Sequence, residues 1–403
     1  MRRKKQPDLT GDICSGIIFK NKNEDRERRM KSKVVLIPCN SYEEEVLYRS
    51  LKQGMELLGG LDSLIQKEES VLFKPNLVRS ARRERAVVTD PAVMGGLFRL
   101  FREQGYEKLS CGDSCGIGSA GRAMKECHMD EVLDRYGVEL KEFQEEQKVE
   151  TQRGRTLTLA RDVLRADALI SVSKMKTHAL ERITGAVKNQ YGCICGMHKA
   201  IGHTQYPNAD IFARMLADLN LTVRPRLYLM DGITAMEGNG PTSGDPVAMN
   251  VLLFSTDPVA LDSVFCHLIC LNPELVPTNV HGEKMGLGTW KSSQIEIVTP
   301  EGSFTPEEVQ EMYGNPEFAV DRKKVKGKNV MDTFRVFGLF RKKPYIVKDQ
   351  CRKCGICVNA CPVEGKALRF KNGRTSPPVY DYRKCIRCFC CQEMCPHRAI
   401  KVR

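Results

Sequence analysis

The run Cys351-x-x-Cys354-x-x-Cys357-x-x-x-Cys361-Pro362 returns as Cys385-x-x-Cys388-x-x-Cys391-x-x-x-Cys395-Pro396. Of the chain's 18 cysteines, half fall within these last 53 residues. The N-terminus, MRRKKQPDLT, has the positive start of a secretory leader, but ICSGIIF behind it is too short and interrupted to be an apolar core. Disulfides are therefore not the expected use of these thiols, and the chain reads as cytoplasmic. A zinc site takes four ligands and favours two CxxC pairs. Two CxxCxxCxxxCP runs fit that poorly.

The doubled run resembles that of bacterial-type two-cluster ferredoxins, and the resemblance covers residues 345–403 completely. It implies two [4Fe-4S] clusters. Three thiolates on a tight loop hold three corners of a cubane, and the fourth, before proline, turns to the other cluster. Cluster one then takes Cys351, Cys354, Cys357 and Cys395; cluster two takes Cys361, Cys385, Cys388 and Cys391. YIVKDQ reads as a strand entering the first loop, and ALRF–NG–PVYDY as strands around a turn before the second. Cys390 is an extra, packed thiol. Such a module moves electrons singly, and it implies a redox partner protein.

At 403 residues the chain exceeds a single small domain. Residues 1–32 form a polar, basic tail expected to be disordered, with Met30 as an alternative start. Residues 33–300 alternate strand and helix patterns. VVLIP, VLFKP, KLSCG, VELKEF, ALISVSK, RLYLM, VLLFS and IEIVTP are strands. Helices are expected near Glu43–Leu58, Asp90–Glu103, Met129–Tyr136, Ile183–Gln190, Ile211–Leu219 and Asp257–Ile269, the last capped by Asp257 with Pro258 at its first position. This order predicts an α/β fold, a largely parallel sheet flanked by helices. Residues 301–344 read as a connector, basic in its second half, whose FRVFGLF strip docks the small α+β C-terminal domain.

In such sheets ligands bind at the carboxyl ends of strands, and KPN, GDS, SKMKTH and DGI fall there. Between Lys174 and His203 lie five Lys or Arg, one acid and three of the chain's seven histidines. Alternation points Lys174, Lys176 and His178 to one side. Cations so placed repel unless an anion lies between them, so a small anionic ligand is expected. Lys74 and Asn76 offer the same device on another strand. Lys188 and Asn189 follow a helix start at Gly185 whose free N–H groups favour anions. Asp113 and Asp231 complete the expected ligand contacts. His178 and His203, with Lys176, are the expected proton-handling groups. Gly116-x-Gly118-x-x-Gly121, followed by Glu139 and Glu142, is a weak dinucleotide fingerprint.

Taken in order, KPNLV, TDP at 89–91, GDS, SVSKMKTH, TGAVKNQYG, LYLMDGITAMEGNGPTSGDP and STDPVALDS resemble the domain-of-unknown-function family 362, over about residues 33–300. Its members often carry a ferredoxin module. The resemblance implies a fold and a redox setting without a reaction.

The formal charge of +13 raises nucleic acid as a partner. A basic tail and the roughly 4 negative charges that two thiolate-bound cubanes add reduce it, and a single Trp with no aromatic-interleaved basic repeat argues against nucleic acid. No apolar run approaches the ~20 residues of a membrane span. The leading expectation is an iron–sulfur oxidoreductase acting on an anionic substrate or a further organic cofactor. The alternatives are a non-catalytic electron-transfer or scaffold protein, and a non-redox enzyme with structural clusters.

Overall fold

A computed structural model describes residues 31–116, 118–196, 198–323 and 342–403. Residues 1–30 of the expected tail, and FRVFGLF with most of its basic surroundings, lie outside the described residues. In chain order the elements are β1 (Ser32–Pro38), α1 (Glu44–Leu58), β2 (Val71–Pro75), α2 (Pro91–Glu103), β3 (Leu109–Gly112), α3 (Ala120–Cys127), α4 (Met129–Tyr136), β4 (Glu139–Lys141), β5 (Glu146–Glu150), β6 (Thr156–Ala160), α5 (Arg161–Arg165), β7 (Ala168–His178) and β8 (Arg182–Thr184). There follow α6 (Ala186–Asn189), α7 (His198–Gln205), α8 (Ala209–Val223), β9 (Leu227–Glu237), β10 (Asp245–Ser255), α9 (Pro258–Leu268), α10 (Pro277–Lys284), β11 (Ile295–Thr299), β12 (Gly302–Phe304) and α11 (Pro306–Tyr313). The C-terminal part adds β13 (Pro344–Ile346), α12 (Ile356–Asn359), β14 (Leu368–Arg369), β15 (Val379–Tyr380), α13 (Cys390–Glu393) and β16 (Ile400–Val402).

One sheet runs β12-β11-β1-β10-β9-β7-β2-β3-β4, with β8 added to β7. The block β9-β7-β2-β3-β4 is parallel throughout, as is β1 with β11. β10 is antiparallel to both β1 and β9. The sheet is thus largely parallel, with helices on both faces. One face packs Val35, Phe73 and Ile170 against Leu51, Leu97 and Phe101 of α1 and α2. The other packs against α8 and α9 through Leu216, Phe212, Val264 and Phe265. β7 is buried along all 11 residues, which is why its first half is apolar but for Ser171, whose hydroxyl accepts from Asn189 and Gln190.

Helix starts follow their capping residues. Glu43 accepts from Glu45 and Val46 N–H, and Asp90 from Ala92 N–H before Pro91. Asp257 accepts from Val259 and Ala260 N–H ahead of Pro258. It also accepts from Ser32 Oγ at 2.6 Å and Thr289 N at 3.1 Å, which ties α9 to both β1 and a distant loop.

Two expectations change. The helix foreseen over 183–190 is instead strand β8 followed by the single turn of α6, because β-branched Ile183 and Thr184 pair with β7 and Gly185 ends the strand. Residues 301–320 are not a connector. β12 extends the sheet beside β11, and Val309 and Phe318 are buried in the core with Phe265 and Ile297. Unforeseen were the β5–β6 hairpin and the long β10. Among the described residues no helix is long and apolar enough to cross a membrane.

In the C-terminal part β13 pairs with β16 and β14 with β15, around a small core of Leu368, Ala399, Ile400 and cysteines. That core is separate from the larger ones.

Because Asp257 serves four donors and Thr305 only the capping box of α11, their removal should differ in cost. Asp257→Ala is expected to lower stability by about 2–3 kcal/mol and Thr305→Ala by about 1 kcal/mol, read from denaturant midpoints of anaerobically purified protein.

Candidate functional site

The motifs KPN, GDS and SKMKTH meet at the carboxyl edge of β2, β3 and β7, beside β9. Their lysines do not share one anion. Lys74 follows Phe73, which faces α1 and α2, so Lys74 points to the opposite face. There it pairs with Asp113 at 2.9 Å. Asp113 also accepts from Leu77 N and Ser114 N, both at 2.8 Å. Gly192 crosses directly over this pair: a Cβ there would overlap both Asp113 and Lys74. Lys199 closes the group by donating to Ser114 O, and burial pushes its ammonium down to about 8.

Lys174 pairs with its register partner Asp231 at 2.6 Å. Tyr42 donates to the other Asp231 oxygen at 2.9 Å, and Asp90 N–H to the first at 3.1 Å. Lys174 also donates to Tyr42 Oη at 2.9 Å. This network is closed, and its charges are met within the protein.

Lys176 lies between these groups, with no exposure and no carboxylate of its own. It donates to Asn76 Oδ1 and Val87 O, each at 2.6 Å. Burial, then Lys188 and Lys174, push its ammonium well below the usual lysine range. Asn76 is aligned by Asn189, whose amide donates to Ser171 Oγ at 2.9 Å and Lys74 O at 3.2 Å.

Beyond the end of β7 the character changes. His178 Nδ1 accepts from Leu180 N at 3.1 Å and Glu181 N at 3.0 Å. That fixes the neutral ring's proton on Nε2. Nε2 lies 2.9 Å from Glu393 Oε1, out of line for a well-formed hydrogen bond. Burial and Lys188 hold the His178 imidazole down at about 4. His203, stacked on Phe212 at 4.9 Å between ring centres, is lowered to about 4 by burial and has an unpartnered Nδ1 among the described residues. Glu181 is fully buried, neither carboxyl oxygen finds a partner among the described residues, and burial raises it well above the usual range. Lys188, half-buried, acts on His178, His203, Glu181 and Glu393 alike. Native proteins rarely leave buried polar atoms unpaired without a functional reason, and here several adjoin one another.

Glu393 arrives from the C-terminal part, on α13 between Cys391 and Cys395. Burial opposes its ionisation, but His178, Lys188 and His203 hold it at about 2. The seat of α13 is polar. Thr242 Oγ1 donates to Glu393 O at 2.6 Å, and Gln392 Nε2 donates to Asn239 O at 2.8 Å and Gly240 O at 3.1 Å. Arg398 donates to Ser243 O at 2.9 Å and Gly244 O at 2.6 Å, and reaches Asp245.

The cysteines fit iron–sulfur ligation. Cys351, Cys354, Cys357 and Cys395 line one cavity, with Ile346, Pro396 and Ile400. Cys385 acts electrostatically on Cys391 and is acted on by Cys388 and Cys361. Tyr380 Oη lies 3.2 Å from Cys391 Sγ, and Ala367 N–H donates to Cys361 Sγ at 3.3 Å, contacts suited to thiolates. Cys390 is a free, buried thiol hydrogen-bonded to Cys388.

Two anion sites foreseen from backbone donors are filled from within. Asp262 takes Ala186 N at 2.6 Å and Val187 N at 3.1 Å, and a Cβ on Gly185 would overlap it. In the glycine-rich loop, Glu142 accepts from Ala120 N and Gly121 N, both at 2.9 Å, at the helix start a pyrophosphate would need. The acid whose spacing matched a ribose contact is thus a helix cap. Sequence reasoning missed Glu393, Glu181, Lys199 and Tyr42. Glu181 had a signal, as the one acid between Lys174 and His203.

A charged sheet edge joined to a cysteine-rich electron carrier defines an iron–sulfur protein with an α/β body. Residues 343–396 match the 4Fe-4S dicluster domain, and residues 71–267 match the Domain of unknown function (DUF362). Over 260 residues the chain is 34% identical to Thylakoid-associated protein sll1697 of Synechocystis sp. (strain ATCC 27184 / PCC 6803 / Kazusa), a match covering 64% of this chain and 81% of that protein. The chain belongs to the DUF362 family. The lactate racemase apoprotein from Thermoanaerobacterium thermosaccharolyticum aligns with a TM-score of 0.41 at 12% identity, covering 57% of this chain and 55% of that one.

With its folded value near 4 against an ordinary 6.5, His203 binds its proton more readily in the unfolded chain. Its contribution is complete above pH 6.5 and is lost as pH falls toward 4. His203→Phe should therefore shrink the loss of stability between pH 7 and pH 5 by about 2 kcal/mol, measured by urea unfolding at both values.

Proposed function

We propose that the protein is an iron–sulfur oxidoreductase acting on a small anion, substrate or organic cofactor, held at Lys188, His178 and His203. Its electron source or sink is a pair of [4Fe-4S] clusters, one on Cys351, Cys354, Cys357 and Cys395, the other on Cys361, Cys385, Cys388 and Cys391. The observation that carries this reading is the seating of α13, which brings a side chain from between two cluster ligands to within 2.9 Å of His178. When bound, the clusters supply single electrons at a potential set by their surroundings.

The chain's own residues do the rest. Lys188 neutralises the anion. His178 holds a proton on Nε2, facing Glu393 in the buried cluster with His203, Glu181 and Lys188 that serves here as the anion chamber, because its Nδ1 is occupied by two amides. Lys176, its ammonium destabilised by burial and by two neighbouring lysines, stands behind as a proton reserve. Asn76 and Asn189 orient Lys176, while the pairs Lys74–Asp113 and Lys174–Asp231 fix the strand ends on which the chamber rests. Closure by the module keeps water out and strengthens each of these interactions.

Cys351 and Cys354 are partly exposed beside Arg352 and Lys353, whereas Cys361, Cys388 and Cys391 are buried. This supports docking of an acidic one-electron carrier protein over the first cluster loop. The second set lies toward the body, where Cys388 acts on Tyr191. Cysteine usage supports a reducing, cytoplasmic setting.

Anaerobic protein is expected to carry about eight irons, and Cys357→Ala or Cys388→Ala about half of that. A matched small anion should restore cluster absorbance in prereduced protein by taking electrons, or bleach it in oxidised protein by donating them. Lys188→Ala should slow that response about 10- to 100-fold and His178→Asn about 100-fold, with iron content unchanged. Cluster redox changes indifferent to both substitutions and to every small anion tried would sink the reading in favour of electron transfer without chemistry.

A further inference from the structure

The buried cluster at the end of β7 already contains a carboxyl group from the C-terminal part. Glu393 is only 6% exposed, and its Oε1 lies 2.9 Å from His178 Nε2. Every other cation at the sheet edge is committed elsewhere: Lys74 to Asp113, Lys174 to Asp231, Lys176 to Asn76 and Val87 O. Lys188 alone of these lysines has neither a carboxylate at ion-pair distance nor a hydrogen-bond acceptor for its ammonium among the described residues.

The fit is incomplete. Glu393 Oε1 and His178 Nε2 approach without aligning, and the buried Glu181 carboxyl and His203 Nδ1 have no partner among the described residues. A side chain selected to complete this site would be expected to satisfy them. A side chain holding the place of something larger would not. The helix that delivers Glu393 is held by polar bonds to main-chain oxygens, which are exchangeable with water.

We infer that Glu393 occupies the position of the substrate's carboxylate, so that the chamber takes a small carboxylate and the module's own side chain competes with it. This rests on the anion-binding reading above and narrows it. A carboxylate matches what is held there now, a planar carboxyl group before the His178 imidazole, and leaves the unpaired Lys188 to meet its charge. A phosphate, tetrahedral and with up to two charges, does not match the planar carboxyl group held there. Entry of substrate displaces Glu393 and loosens α13, whose Cys391 belongs to the second cluster set. Occupancy of the chamber is thereby reported to the electron-carrying loop. Self-occupancy also lowers apparent affinity by the fraction of molecules in which the chamber is open.

The test uses anaerobic, cluster-loaded full-length protein, with acetate and inorganic phosphate as probes. Binding is followed by calorimetry and by hydrogen exchange of the amides of 390–394. Glu393→Gln, which keeps shape and loses charge, should bind acetate about tenfold more tightly than wild type. Glu393→Asp, which keeps charge and withdraws it, should shift the same way. Lys188→Ala should abolish acetate binding in each background. In wild type, saturating acetate should speed exchange across α13. Equal acetate affinity in wild type and both Glu393 variants, with Lys188→Ala still abolishing it, would overturn the surrogate role and leave the anion site standing. Acetate binding indifferent to Lys188 would overturn both. A larger gain for phosphate than for acetate would overturn the carboxylate assignment, and unchanged exchange in acetate-saturated wild type would overturn displacement.

Discussion

Three lysine ammonium groups, Lys74, Lys174 and Lys176, lie at the centre of the sheet with at most 1% exposure. Taking a charge out of water costs several kcal/mol, recovered only where geometry and partners are good. Much of the surrounding structure answers that constraint. Asp113 and Asp231 sit on the strands next to the lysines they meet. The carbonyl of Val87 and the amide of Asn76 turn toward Lys176. Gly192 has no side chain, because the backbone that covers Lys74 passes too close for one. Losing one partner of such a pair costs about 3–5 kcal/mol through the charge left behind, so these contacts are positions the fold cannot relax.

The chamber at the end of β7 stands out against that background. A few residues from networks in which each donor finds an acceptor, His178, His203, Glu181 and Glu393 leave atoms unpaired. The contrast within one sheet edge separates scaffold from site. Residues that looked alike in sequence, a run of lysines and histidines after a strand, divide into those that stabilise and those that remain available for chemistry.

Much of the α/β order was legible because its signals are local. Glu43, Asp90 and Asp257 announce their helices through short-range capping, and the ALISV stretch, apolar but for Ser171, announces a strand buried on both faces. What sequence did not reveal was non-local. β10 turns back on β9 as a local hairpin, but its place between β9 and β1 depends on partners more than a hundred residues away in β1. The pairing of Lys174 with Asp231 depends on register between two long strands, and without it the lysines looked like a repelling cluster awaiting an anion. The 183–190 segment carried both helical and β-branched features, and pairing with β7 decided between them. Ligand cysteines could be assigned because their spacing is itself the constraint. Glu393 could not, since nothing local says which face of the C-terminal part turns toward the body.

The body grips α13 and its surroundings mainly through peptide oxygens: Asn239 O, Gly240 O, Ser243 O and Gly244 O. Recognition by main chain is blind to the identity of the residues that supply it. Ser243, read only through its carbonyl, is therefore free to drift in composition so long as the path of the loop is kept, while Asn239 and Thr242, which donate from their side chains to Ile400 O and Glu393 O, and Gly240 and Gly244, too close to neighbouring backbone for a Cβ, are not. Evolutionary exchange of one electron-carrying cassette for another on this scaffold would then need few coordinated changes, most of them confined to the incoming partner.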